Sequence, residues 1–247
     1  MKCVLLLNLG GPDRLEAVEP FLANLFSDPD IISFPLGPFR FPLAHGIARR
    51  RSQKVRALYE KIGGRSPLRE ITSQQAAALE KRLCESRKEA GSGPAYRVVI
   101  AMRYWHPTLR EALEEVLPHS PKSLILLPLY PQYSTTTTGS SFREFERMWE
   151  TLVAEKRSLS TVSVRMVSHF YDDPGFLEAV VDLILKAEKE VPGSGEGPIH
   201  LVFSAHGVPQ RIIERGDPYQ NHVEKTVEKV VARLGGREHS HLCYQSR

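Results

Sequence analysis

Short apolar runs alternate with amphipathic stretches along most of the chain. Cys3–Leu9, Arg97–Met102, Ser123–Leu129, Thr161–Val167 and His200–Ser204 are brief and rich in Val, Ile or Leu, the pattern of parallel strands covered on both faces. Between them the period changes. Leu109, Ala112, Leu113 and Val116 fall on one helical face, and Val223, Val227, Val230, Val231 and Leu234 on another, at spacings close to the helical repeat. Alternation of this kind predicts an α/β fold built on a doubly wound parallel sheet.

A long helix is expected from about Ser141 to Lys156, with a new strand after Ser158-Leu159-Ser160. That places a boundary between a first domain, residues 1–157, and a second, residues 158–247. The first domain shows three strands and leaves a fourth open. The second shows Thr161–Val167, His200–Ser204 and a final run at His239–Tyr244, which no helix follows. A parallel sheet left open in this way carries the expectation that the second domain is incomplete. The Gly- and Pro-rich stretch Pro192–Pro198 reads as a surface loop between helix and strand.

Composition narrows the class. With 41% apolar and 25% charged residues the chain can build a real core, which excludes a disordered chain. Its net charge of +4 comes from 33 basic and 29 acidic residues spread over many elements. Such a mild excess suits an anionic ligand or surface and does not call for nucleic acid, whose binders concentrate Lys and Arg on one element. Cys3, Cys84 and Cys243 form no CxxC pair, so neither a zinc site nor a disulfide framework is expected, and a reduced, cytoplasmic location fits. The first apolar run is too short for a signal peptide, and no window approaches the length of a membrane span.

Four segments carry candidate chemistry. Gly10-Gly11-Pro12 follows the first strand; without a third glycine in register and with Pro12 in the loop it reads as a tight turn rather than a dinucleotide fingerprint. Residues 31–43 hold Ile31, Ile32, Phe34, Leu36, Phe39 and Phe41 among prolines. They read as core filling or as an apolar lip for a flat greasy ligand or for peripheral contact with a membrane. Arg49-Arg50-Arg51 follow on an expected helix, either as a solvated face or as partners for carboxylates at the ligand's edge. The stretch from Tyr130 to Ser141 sits at the carboxyl end of a strand, where open α/β sheets bind ligands. Seven of the eight residues Ser134–Ser141 bear hydroxyls, more than helix capping requires, which favours a polar binding rim. Last, Ser204-Ala205-His206-Gly207 ends a buried strand. Small neighbours leave its imidazole room to face a cleft, and a group titrating near neutrality can bind a metal or accept a proton. No Gly-x-Ser-x-Gly elbow is present, so acyl transfer is not indicated.

Read together and in order, these segments resemble the ferrochelatase family. The series runs Leu7-Asn8-Leu9-Gly10-Gly11-Pro12, Gly63-Gly64-Arg65-Ser66-Pro67-Leu68, Met102-Arg103-Tyr104-Trp105-His106-Pro107 and Leu129-Tyr130-Pro131-Gln132-Tyr133-Ser134. It continues through Thr138-Gly139-Ser140-Ser141, Ser204-Ala205-His206-Gly207-Val208-Pro209, Gly216-Asp217-Pro218-Tyr219 and Tyr244-Gln245-Ser246. Each motif alone is weak; eight in order across the chain are specific.

The resemblance implies two Rossmann-like domains with a porphyrin in the cleft between them, and Fe2+ insertion into that porphyrin, protoporphyrin IX or coproporphyrin III, in haem biosynthesis. By position His206 resembles the family's metal-binding, proton-accepting histidine. Arg51, Tyr59 and Ser66 resemble its porphyrin contacts, Arg103, Tyr130 and Thr137 its cleft-lining positions, and His169 a further family histidine. The iron–sulfur cluster of some members relies on cysteines in a C-terminal extension that is not found here, so no cluster and no cofactor beyond the substrate Fe2+ is expected. Family members also continue past the Tyr-Gln-Ser motif with a strand carrying an acidic residue opposite the histidine, so the resemblance too implies a truncated chain. Two other readings stay open: a chelatase for another metal or tetrapyrrole, and a non-catalytic tetrapyrrole-binding fragment. The oligomeric state is not legible.

Overall fold

The computed structural model describes residues 1–29, 31, 37–89, 95–190, 199–236 and 239–245. The expected loop at 192–198, Ile32, Phe34 and Leu36 of the apolar segment, and Ser246 lie outside them. The elements in chain order are β1 (Lys2–Asn8), α1 (Val18–Ser27), α2 (Arg40–Glu60), α3 (Leu68–Glu89), β2 (Tyr96–Met102), α4 (Leu109–Val116), β3 (Ser123–Pro128), α5 (Thr138–Glu155) and β4 (Ser163–Met166). There follow α6 (Pro174–Glu190), β5 (Leu201–His206), α7 (Gln210–Glu214), α8 (Tyr219–Arg233) and β6 (Ser240–Gln245). The chain forms two compact units: Met1–Leu129 with Thr136–Val167, and Tyr130–Thr135 with Ser168–Arg247.

In the first unit four parallel strands lie in the order β2-β1-β3-β4. The sequence of β1 explains its central place. Cys3, Val4, Leu5, Leu6 and Leu7 are all buried, so both faces of the strand demand a cover, which only helices on both sides of the sheet supply. Cys3, Leu5 and Leu7 pack with Val99, Ala101, the α4 stripe Leu109, Ala112, Leu113 and Val116, and Phe145 of α5. Val4 and Leu6 pack with Val98 and Ala76 of α3 on the other side. A third cluster joins Val18, Phe21 and Leu22 of α1 to Ala44 and Ala48 of α2 and to Tyr104 and Trp105. Helix α4 starts on a reciprocal cap, in which Thr108 accepts from the Glu111 amide while the Glu111 carboxylate accepts from the Thr108 amide. Those bonds, helped by His106, hold the Glu111 carboxyl down to about 2.

The second unit holds β5 and β6, paired in parallel from Leu201↔Ser240 to His206↔Gln245, with α7 and α8 forming the crossover. Val223 and Val230 are the buried members of the α8 stripe.

The observed units depart from a division at 157/158. The run 161–167 supplies β4, which pairs with β3 through Ser123↔Ser163 to Leu126↔Met166 and so completes the first sheet. Residues Tyr130–Thr135, expected in the first domain, belong to the second unit. The reason is hydrogen bonding: this short segment is tied to α8 and to the turn before it.

Candidate functional site

The order β2-β1-β3-β4 changes direction at β1, and ligands of doubly wound sheets bind beyond the carboxyl ends of the strands at that point. Most of the residues singled out in the first unit lie on the segments around it. Asn8 ends β1; its amide side chain donates to Thr72 Oγ1 (3.1 Å) and accepts from the Leu9 amide (2.8 Å), fixing the exit from the strand. Gly10 has φ +84°, and a Cβ there would sit 3.0 Å from Met102 Cβ. At Gly11 a Cβ would fall 2.5 Å from Ser66 Oγ and 3.9 Å from the Tyr59 hydroxyl. Both glycines therefore serve close approach: Met102 and Trp105 crowd Gly10, and Ser66, an expected porphyrin contact, crowds Gly11, with Tyr59, another, in ordinary contact. Ser66 is further anchored by its amide to the Pro12 carbonyl at 2.8 Å, and burial pushes the Tyr59 phenol above its ordinary range. Ser66 also lines an open groove of about 590 Å3 with Asp13, Arg65, Arg69 and Glu70. Arg51 is exposed on α2, with its guanidinium 5.5 Å from the Phe26 ring centroid.

Arg103, just past β2, is more constrained than a free ligand contact. Its Nη2 donates to Asp28 Oδ2 (2.8 Å), its Nε to Ser140 Oγ (3.0 Å), and its Nη1 pairs with Glu144 (3.2 Å). Asp28 Oδ2 also accepts from the Tyr104 hydroxyl (2.6 Å) and from Ser140 Oγ (2.8 Å). The Asp28 side chain is fully buried and that of Arg103 is 13% exposed. Two carboxylates around one guanidinium make this buried set acidic. Burial raises the Glu144 carboxyl and Asp28 pushes it the same way, against the pull of Arg103. Burial and the Asp28 charge also push the Tyr104 phenol far up.

The hydroxyl-rich segment is divided between the two units, and several of its members are turned inward. Ser140 serves Asp28, as above. Ser134 Oγ (3.0 Å), the Thr135 amide (2.7 Å) and Thr135 Oγ1 (2.6 Å) all donate to Asp217 Oδ2, and Asp217 Oδ1 accepts from the Tyr219 amide at 3.0 Å. Thr138 and Ser141 are buried in the first turn of α5. Half-buried Thr137 stands at the start of that helix and half-buried Tyr130 begins the segment in the second unit. These internal bonds take up much of the hydroxyl excess that the sequence assigns to a binding rim.

In the second unit His206 is the last residue of β5 and is exposed, with the following amide of Gly207 donating to the Gln245 carbonyl at 2.6 Å. Tyr219, at the start of α8, lies against the His206 backbone; burial raises its phenol and a hydrogen bond from that backbone opposes the shift. His169 is exposed, hydrogen-bonded to Ser168 Oγ at 2.9 Å, and lies 5.1 Å between ring centroids from His222. His222 stacks on Tyr171 at 4.0 Å, and its Nδ1 accepts the Tyr133 amide proton at 3.2 Å.

That acceptor role requires a neutral ring. Burial, then the charges of His169 and Lys225, lower the His222 pKa, with Asp172 and Asp217 opposing. The unfolded chain therefore binds the proton first, near pH 6.5. Stability from this contact is present above that value and is lost as pH falls from there toward the depressed folded value. Thermal melts between pH 5 and 8 are expected to show a steeper acid loss for the native chain than for His222→Asn; parallel curves would rule the contact out as its source.

Asp28, Glu144, Asp217 and His222 were not singled out from the sequence. Asp217 lies within the Gly216-Asp217-Pro218-Tyr219 motif, so a signal existed, but nothing local says what the carboxylate holds. Of the apolar segment 31–43, Phe39 and Phe41 are 72% and 60% exposed and so are not core filling.

A parallel, doubly wound sheet with its polar and glycine-bearing segments gathered at the carboxyl ends of the strands, together with a second unit that holds its own parallel strand pair, defines a Rossmann-like α/β protein of two units. The ferrochelatase family model matches residues 1–247. The chain is 48% identical over 246 residues to the ferrochelatase of Aquifex aeolicus, covering 100% of this chain and 72% of that protein. It is 46% identical over 245 residues to that of Gloeothece citriformis and 44% identical to that of Synechocystis sp., covering 99% of this chain and 60% of each relative. The chain belongs to the ferrochelatase family. It spans about three fifths to somewhat under three quarters of the length of these relatives.

Proposed function

We propose that this chain carries out, or forms the larger part of a protein that carries out, the insertion of Fe2+ into a porphyrin, protoporphyrin IX or coproporphyrin III, in haem biosynthesis. Family membership across all 247 residues is the observation that carries this reading. The reaction replaces two pyrrole protons by the metal, so it needs a group that presents Fe2+ and a base. Exposed His206 at the end of β5 suits both tasks, because a neutral imidazole binds late first-row divalent ions and accepts protons near neutrality. Tyr59 and Ser66 gathered at Gly11, with Arg51, Thr137 and Tyr130, are assigned to porphyrin contact. Arg103 is assigned a role in shaping the site, since its guanidinium is already engaged by Asp28, Ser140 and Glu144.

Iron enters this scheme as substrate. No resident iron–sulfur cluster is included in it, a choice supported by Cys3, Cys84 and Cys243 lying on β1, α3 and β6. A cytoplasmic location with peripheral membrane contact through residues 31–43 is supported by exposed Phe39, Phe41 and Leu43 next to Arg40; among the described residues no helix is long and apolar enough to cross a membrane. Anaerobic assay with Fe2+ and each porphyrin, followed by loss of porphyrin fluorescence, is expected to show turnover, and the relative rates identify the porphyrin. Tight porphyrin binding with no turnover would replace this reading with that of a tetrapyrrole-binding fragment.

A further inference from the structure

Three histidines outside the site described above meet at the amino ends of β5 and β6. His200 immediately precedes β5, and His239 and His241 flank the first residue of β6. His200 Nδ1 and His241 Nε2 are 3.0 Å apart, their ring planes differ by 4° and their centroids are 5.3 Å apart. The rings are thus coplanar and end to end, joined by one N–H···N hydrogen bond in which one imidazole gives its proton to the lone pair of the other. His239 lies against the face of His200, at 4.7 Å and 30°. His200 and His241 are exposed and His239 is half-buried.

Two imidazole nitrogens facing each other at the starts of paired strands are two potential metal donors, joined here by a single N–H···N bond. Imidazole nitrogens bind ions such as Zn2+ at about 2.0–2.1 Å, so adjacent ligands of a square-planar or octahedral ion stand roughly 2.9 Å apart and those of a tetrahedral ion roughly 3.3–3.4 Å, both close to the 3.0 Å present here. Each ring must turn off the line between the nitrogens to share an ion, and both side chains are exposed. We propose that His200 and His241 form a two-imidazole site for a late first-row divalent cation such as Ni2+, Cu2+ or Zn2+, the ligand class imidazole suits. Among the described residues no three His, Cys, Asp or Glu side chains surround one point, so the ion is completed by water and the site is open and exchangeable. His239 limits the ring positions open to His200. Bound metal ties the start of β5 to the start of β6. The site is separate from His206: the strand between them spans six residues, about 20 Å at 3.3 Å per residue.

The test is calorimetric titration of the tag-free full chain with Ni2+ alone at pH 7.5, with circular dichroism to verify the fold of each variant. One Ni2+ site beyond any at His206 is expected in the native chain and in the surface control His119→Ala. It is expected to be lost in His200→Ala, His241→Ala and His241→Gln, and weakened in His239→Ala. Ni2+ is also expected to raise the melting temperature of the native chain and not of His241→Gln. Unchanged Ni2+ binding in the His200 and His241 variants, absence of binding in the native chain, or an equal loss in His119→Ala would each overturn the proposal. None of these outcomes depends on porphyrin chemistry, so the assignment of His206 stands or falls separately.

Discussion

Asp28→Ala is expected to destabilise the first unit by about 3–5 kcal/mol, the range found when one partner of a buried ion pair is removed. A single carboxylate oxygen, Asp28 Oδ2, accepts from Arg103, Tyr104 and Ser140 at 2.6–2.8 Å. Its loss removes the shared acceptor of three donors at a buried point. Glu144 retains part of the Arg103 charge, which sets the expectation toward the lower end. Asp28→Asn keeps the volume and one acceptor oxygen and is expected to fall between the native chain and alanine. The measurement is urea unfolding of all three at pH 7. A loss below about 1 kcal/mol for alanine would mean that the cluster relaxes onto Glu144 and water, and that Asp28 does not organise it.

His206→Ala is expected to abolish metal insertion, with a drop of at least about 10^2–10^4-fold, the usual worth of a positioned acid–base group. His206 is exposed at the end of a strand, so the substitution removes little packing and the fold is expected to survive, as a melting temperature close to native would show. Porphyrin binding, assigned chiefly to Tyr59, Ser66 and Arg51, is expected to persist. Initial rates of haem formation under anaerobic conditions decide the matter: near-native rates would remove His206 from its assigned role, whatever the affinity for porphyrin.

The contrast between these two residues shows what a sequence can display. Apolar runs announce β1 and β3 because most of their positions are buried, and the α4 stripe is legible because its four buried residues keep the helical period. β4 was visible as a strand but not as a member of the first sheet. Its Ser163, Val164, Arg165 and Met166 alternate in exposure, and nothing local tells which sheet edge they will pair with. His206 stood out through its motif and its strand-end position. Asp28 did not, because its meaning lies in partners 75 to 112 residues away, and Asp217 likewise serves Ser134, 83 residues earlier. Hydroxyl content pointed to a binding rim, whereas several of those hydroxyls satisfy the two buried carboxylates. A polar run reports that hydrogen bonds are made; it does not report with whom.

The central place of β1 has a consequence during synthesis. The most continuously apolar segment of the chain is made first, long before the strands that flank it. Leu5 pairs with Val99 on one side and Leu126 on the other, so both neighbours arrive only after about a hundred or more further residues have left the ribosome. At roughly 5–20 residues per second that is a wait of about 6–24 s. Until β2 emerges Val4-Leu5-Leu6-Leu7 has no strand to pair with, and until β3 emerges it has only one. The nascent chain therefore depends on early helices such as α1 and α2, or on a chaperone, to shield its own first strand until β3 emerges.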